Sequence, residues 1–155
     1  MVTVKVSNNF PFFPFIRQTP NASGIWNDYQ FFINQDIEEC DFWVVFDGLI
    51  NEETAYCNKK NTILITGEPP TKKRYTKFFL KQFNTVITCH NNLSHKNTLL
   101  TQQAYPWLIG AKFDKEQKRY VRHSFMDYNS FKKLNEFKKT KLMSTILMNK
   151  PSNII

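Results

Sequence analysis

Along the chain, hydrophobic and polar positions settle first into a period of two. Val2, Val4 and Val6 alternate with Thr3 and Lys5, which predicts a half-buried first strand over Val2–Val6. Tyr29–Ile33 is a second, short and aromatic strand candidate. Asp41–Phe46 (DFWVVF) and Asn61–Thr66 (NTILIT) are continuous apolar runs that stop at Asp47-Gly48 and at Gly67, and Thr85–Thr88 (TVIT) is a further β-branched run. Continuous apolar strands suit the centre of a parallel sheet, because helices cover both of its faces.

Between these runs the period changes. Lys72–Phe83 sets Tyr75, Phe78, Phe79 and Gln82 at helical spacing, and Tyr128–Phe137 sets Tyr128, Phe131, Leu134 and Phe137 three apart. Strand, helix, strand is the rhythm of an α/β domain, since parallel neighbours need a crossover connection. The expected architecture is thus α/β and Rossmann-like, with a mostly parallel central sheet. Asn8–Gly24 reads as a loop pinned to the body by Phe10, Phe12, Phe13 and Phe15, residues 90–103 as polar connection, Ala104–Gly110 as a Pro-Trp turn, and residues 111–122 as exposed. Lys141–Met148 resumes strand character. The expected division is residues 1–140 as one layered domain and 141–155 as the linker or first strand of a further one.

Composition narrows the class. Over 155 residues, 41% hydrophobic content with 15 Phe is enough apolar mass for one core, and four Gly exclude collagen-like repeats. No apolar run approaches the roughly 20 residues that span a bilayer, and no basic segment followed by a cleavage site frames the N-terminus. The expected location is cytoplasmic. Three widely spaced cysteines suit reduced thiols better than a disulfide framework, and the Asn21-Ala22-Ser23 sequon is then a chance match.

Charge is polarised. Residues 1–70 carry 4 basic and 9 acidic groups, residues 71–110 carry 6 and 0, and residues 111–155 carry 11 and 4. A basic half attracts nucleic acid, anionic lipid or the phosphates of a nucleotide sugar alike. Nucleic acid has little further support, because Lys72-Lys73-Arg74-Tyr75 is the one dense interleaving of basic and aromatic residues. Peripheral contact with a membrane surface stays open, as does a merely solvated basic face.

Candidate chemistry is sparse. Cys89 and His90 are adjacent, and no C-x-x-C or H-x-x-x-H pair supplies metal-ligand spacing; Gly-rich phosphate loops are absent too. A Cys89 nucleophile paired with His95 or His123 needs a juxtaposition that spacing does not give. Ile63–Pro70 (ILITGEPP) is the informative stretch: an apolar strand delivers Gly67, Glu68 and two prolines to its carboxyl end. In open α/β sheets, ligands bind in the crevice beyond the carboxyl ends of strands. Preceding Pro69, Glu68 is restricted to extended backbone, so its carboxylate is expected to be held at that rim, where it can take a proton from a substrate hydroxyl. A purely structural loop carboxylate is the alternative.

In order, DFWVVFDGL, ILITGEPP, YTKFFLKQF, VITCH, His95, Gln103 and Pro106-Trp107 resemble the N-terminal half of family 10 glycosyltransferases, the fucosyltransferase-like family, over about residues 24–150. The resemblance implies one half of a GT-B-type architecture, in which an N-terminal domain addresses a glycan acceptor and a C-terminal domain holds a GDP-sugar. Sugar is then transferred with inversion in a single displacement. It also implies that Glu68 is the base, that His95, Gln103 and Trp107 shape the acceptor side, and that Asn149 and Lys150 begin the donor side. It implies no cofactor in this chain, with GDP-fucose or a related GDP-sugar as the donor of the complete enzyme. A donor domain is required in cis or in trans, and without it this chain is expected to be inactive. A noncatalytic module that binds carbohydrate, nucleic acid or a membrane surface is the competing reading.

Overall fold

The computed structural model describes residues 1–10, 13–104, 111–122 and 127–134. Among the described residues, one sheet contains seven strands: β1 (Val2–Asn8), β2 (Ile25–Trp26), β3 (Tyr29–Ile33), β4 (Phe42–Phe46), β5 (Thr62–Ile65), β6 (Thr85–Thr88) and β7 (Thr98–Leu100). Their order is β2-β3-β1-β4-β5-β6-β7, and every pairing is parallel except β2 with β3. This is an α/β protein with a mostly parallel, Rossmann-like sheet. A separate antiparallel hairpin joins β8 (Ala111–Asp114) to β9 (Arg119–Arg122). Its turn is closed by Asp114 Oδ1, which accepts from the N–H groups of Glu116 and Gln117.

Register fixes what each face carries. Lys5 lies beside Trp43, Val45 beside Leu64, and Leu64 beside Val86, so these residues share one face. The core forms there: Val45, Leu64 and Val86 pack with Leu80 and Phe83, all buried, and Trp43, Tyr75 and Phe79 lie against them. The opposite face at the end of β4 carries Phe46, whose ring meets Phe10 and Phe15 at centroid distances of 5.7 and 6.0 Å. Phe10, Phe13 and Phe15 thus hold the irregular segment after β1 against the sheet, while Phe12 lies outside the described residues.

The expected helix over residues 72–83 contracts to α1 (Lys77–Leu80). The cause lies upstream, where Lys73 and Tyr75 turn their side chains to Asp47 and the helix opens only at Thr76. Thr76 Oγ1 accepts from the Phe79 N–H in the manner of an N-cap. At the other end Lys59 Nζ donates to the carbonyls of Lys81 and Gln82, groups that a helix C-terminus leaves unpaired. The crossover between β5 and β6 is therefore one short helical turn between irregular and turn segments, and the 34–41 connection contains no helix.

Two short edge strands carry no strand signal in the sequence: β2 lies just past the expected Asn8–Gly24 loop, and β7 lies within the stretch that reads as polar connection. Residues 111–122, expected to be exposed, form the hairpin. The second expected helix is described as α2 (Tyr128–Lys132), opened by Asp127 Oδ1 accepting from the Ser130 N–H. It docks on the loop before β2, where Asn129 Nδ2 donates to Asn21 Oδ1 at 2.9 Å and Tyr128 meets Trp26 edge-on. The expected strand over Lys141–Met148, and the proposed division at residue 140, fall outside the described residues. No described helix is long and apolar enough to cross a membrane.

Candidate functional site at the carboxyl ends of the central strands

The sheet reverses its winding at β1. From β1 the chain moves to one side to form β3, then crosses to form β4 and continues outward through β7. The carboxyl ends of β1 and β4 thus frame the switch point at which open α/β sheets take ligands. Asn9 follows β1, Asp47-Gly48 follows β4, Gly67-Glu68 follows β5 and Cys89-His90 follows β6, so one sheet edge gathers all of these residues.

Asp47 organises that edge. It is 2% exposed and adopts a positive φ of 64°, a left-handed conformation that Asp tolerates better than most residues. Its Oδ1 accepts from Tyr75 OH at 2.7 Å and from the backbone N–H groups of Gly67 and Glu68 at 3.2 and 3.3 Å. Its Oδ2 accepts from Lys73 Nζ at 2.8 Å and from Asn9 Nδ2 at 3.2 Å. Burial works against ionisation of Asp47, but the hydrogen bonds from Lys73 and Tyr75, the Lys73 charge and the Asn9 amide outweigh it, and the carboxyl is held below its ordinary range. For Tyr75 the same pairing acts the other way. Burial, then the bond to Asp47, raises its phenol well above the usual value and keeps it a donor.

Glu68 is held by its backbone from both sides. Asp47 takes its N–H, and His90 Nε2 donates to its carbonyl at 2.8 Å, which places a proton on that ring nitrogen. His90 is itself buried, and its own N–H donates to Thr88 Oγ1, which is bonded to Thr66 Oγ1. Gly67 sits at a close approach: a Cβ there would stand 3.2 Å from Phe46 Cζ and 3.3 Å from Asp47 Cβ, so the neighbours would have to give way. The expectation that the Glu68 carboxylate itself would be held is therefore corrected. The peptide is fixed, while the half-buried carboxylate makes no hydrogen bond or ion pair with any described residue.

The other expected site residues do not converge on Glu68. His95 sits at the opposite, amino-terminal edge, with Nε2 3.1 Å from the Phe83 carbonyl and Nδ1 3.1 Å from that of Asn97, so backbone contacts engage both ring nitrogens. The connection from β6 returns across the sheet before β7 begins, and His95 travels with it. Gln103 is exposed beyond the carboxyl end of β7, two strands from β5. Trp107, Asn149 and Lys150 lie outside the described residues.

Sequence reading passed over Asp47, Lys73, Tyr75 and His90 as site residues. An Asp-Gly after a strand reads as turn chemistry, and Lys-Lys-Arg-Tyr as a weak nucleic-acid signal; only the fold brings them together. Two strands away on the same edge, about 10 Å on the usual strand spacing, a cavity of about 370 Å³ is lined by Lys5, Asn8, Asn34, Gln35, Asp36 and residues 50–54. Lys5, 1% exposed, pairs there with Glu53 at 3.1 Å, and Ser7 Oγ donates to the same carboxylate. Among the described residues no group of three His, Cys, Asp or Glu side chains is placed to hold a metal ion. No protein-family model, curated protein or solved structure matches this chain.

Proposed function

We propose that this chain is the acceptor-side domain of a fucosyltransferase-like glycosyltransferase of family 10, one half of a GT-B-type enzyme, with Glu68 as its general base. The observation that carries the reading is the fixed Glu68 peptide at the carboxyl edge of a parallel sheet, with a carboxylate that no described residue pairs. In the proposed reaction Glu68 takes the proton of an acceptor hydroxyl as its oxygen attacks the anomeric carbon of a GDP-sugar. The configuration inverts and GDP departs. Such a base needs position before it needs strength, and the bonds from Asp47 and His90 restrict the backbone that sets its reach.

The donor would be bound by a second domain, supplied in cis or in trans. Sugar transfer from GDP-fucose to a glycan panel, measured with a family 10 donor-side domain added in trans, tests the proposal. Transfer that disappears in Glu68→Gln is the expected result. Transfer undiminished by that substitution overturns the assignment of the base, and absence of any transfer counts against the activity.

A second reading draws on one surface. Phe78 is 81% exposed and stands among exposed Lys72, Arg74, Lys77 and Lys81, a pairing of aromatic and cationic side chains suited to an anionic lipid surface. In this reading the domain is peripheral to a membrane. Sedimentation with phosphatidylserine vesicles, weakened by salt and by Phe78→Ser, is its expected signature.

A further inference from the structure

We propose that Cys40 and Cys57 are a thiol oxidation site, closing reversibly to an intramolecular disulfide that ties the segment before β4 to the segment before β5. The backbone brings them together. Glu39 and Tyr56 form a parallel bridge, in which the Tyr56 N–H donates to the Glu38 carbonyl at 2.7 Å and the Cys40 N–H donates to the Tyr56 carbonyl at 3.0 Å. One step further, that register would set Cys40 opposite Cys57. Adjacent strands lie about 4.8 Å apart, within the Cα separation of roughly 4.4–6.8 Å that a disulfide spans.

The side chains follow the backbone. Cys57 Sγ reaches across to the Asp41 carbonyl at 3.8 Å, next to Cys40 in the chain. Burial first, and then the neighbouring Cys40 thiol, push the Cys57 thiol up to about 11. Both thiols are free in this structure, with Cys40 buried and Cys57 half-buried. Cys89 is excluded as a partner, because it follows β6 at the carboxyl edge while Cys40 and Cys57 precede β4 and β5 at the amino edge.

The oxidant is a hydroperoxide. The more accessible Cys57 thiolate attacks a peroxide oxygen, giving the sulfenic acid and hydroxide. The Cys40 sulfur then displaces the sulfenic oxygen, which leaves as water. Two thiols and one hydrogen peroxide thus yield one disulfide and two waters. A high thiol pKa makes the first step slow near neutrality, and the thiolate fraction grows about tenfold per pH unit below that pKa. The covalent ring would enclose β4 and Asp47, linking the redox state to the rigidity of the loop that holds Glu68. The inference does not depend on the proposed activity.

Hydrogen peroxide treatment of the full chain at mildly alkaline pH, followed by thiol counting and peptide mass mapping, tests it. The expected result is a fall from three free thiols to one, a mass loss of two hydrogens, a peptide linking Cys40 to Cys57, and full reversal by dithiothreitol. The midpoint of thermal unfolding should rise by roughly 5–10 °C in the oxidised form. In Cys89→Ser both remaining thiols should be lost together, while Cys57→Ser should keep both of its thiols under the same treatment. Three surviving thiols, independent oxidation of each sulfur to sulfinic acid, or a bridge containing Cys89 would overturn the proposal.

Discussion

The backbone N–H of Glu68 donates to Oδ1 of Asp47 across 3.3 Å, so the residue that follows one central strand holds the loop that follows the next. Asp47 also accepts from Gly67, Tyr75, Lys73 and Asn9. Asp47→Asn keeps the shape but removes the charge and turns one acceptor into a donor facing other donors. We expect a loss of about 2 kcal/mol, since hydrogen bonds to charged groups contribute roughly 1.5–3 kcal/mol. Urea unfolding would measure it, and the amide resonances of Gly67 and Glu68 should move in the same variant.

Acid should expose the same group. The folded-state pKa of Asp47 lies below its ordinary value of 3.8, so its contribution to stability is present above pH 3.8 and is lost as pH falls through the lowered folded value. The difference in unfolding midpoint between wild type and Asp47→Asn should therefore be full between about pH 5 and 7 and shrink below 3.8. A difference that persists unchanged in strong acid would show that charge is not its source. Asp41 is shifted in the same direction, by the Thr3 N–H and then the Thr3 hydroxyl, but on the open surface.

Glu68→Gln separates function from folding. With its carboxylate paired to no described residue, the substitution should change stability by no more than about 0.5 kcal/mol. On the proposed function, sugar transfer with a donor-side domain added should fall about 100- to 10,000-fold, the usual contribution of a positioned base. A large loss of stability instead would mean that the side chain holds the fold.

Gly67→Ala should be costly for a different reason. The added methyl meets the Phe46 ring and the Asp47 side chain, consecutive residues at the end of β4, and neither can retreat without disturbing the Phe cluster or the Asp47 bonds. Overpacking of this kind costs about 1–3 kcal/mol, measurable by thermal unfolding.

Leu64→Ala probes the core beneath the site. Leu64 has no exposed surface and sits between Val45 and Val86, so truncation should cost about 2–5 kcal/mol. Leu99, 58% exposed on the edge strand, should tolerate the same change with little loss.

The central strands were legible in the sequence because a continuous apolar run such as DFWVVF or NTILIT has few other ways to bury both faces, and the turn residues after each marked where it stops. The carboxylate at the end of ILITG was legible for the same reason. Edge strands were not. Ile25–Trp26 and Thr98–Leu100 are short and pair on one side, so their burial leaves a weak pattern. The 72–83 segment carries helical spacing, yet local spacing had no term for Lys73 and Tyr75 being drawn to a carboxylate 26 and 28 residues earlier.

Local pattern, through apolar periodicity and turn chemistry, therefore determined that this chain builds a mostly parallel α/β sheet and that Glu68 arrives at its carboxyl rim. Only the tertiary structure decided the strand order, the retreat of His95 to the far edge, the meeting of Cys40 with Cys57, and the gathering of Asp47, Lys73, Tyr75 and His90 around the Glu68 peptide. Those outcomes depend on which strands become neighbours, and hydrogen bonds between residues far apart in the chain leave no trace in local periodicity.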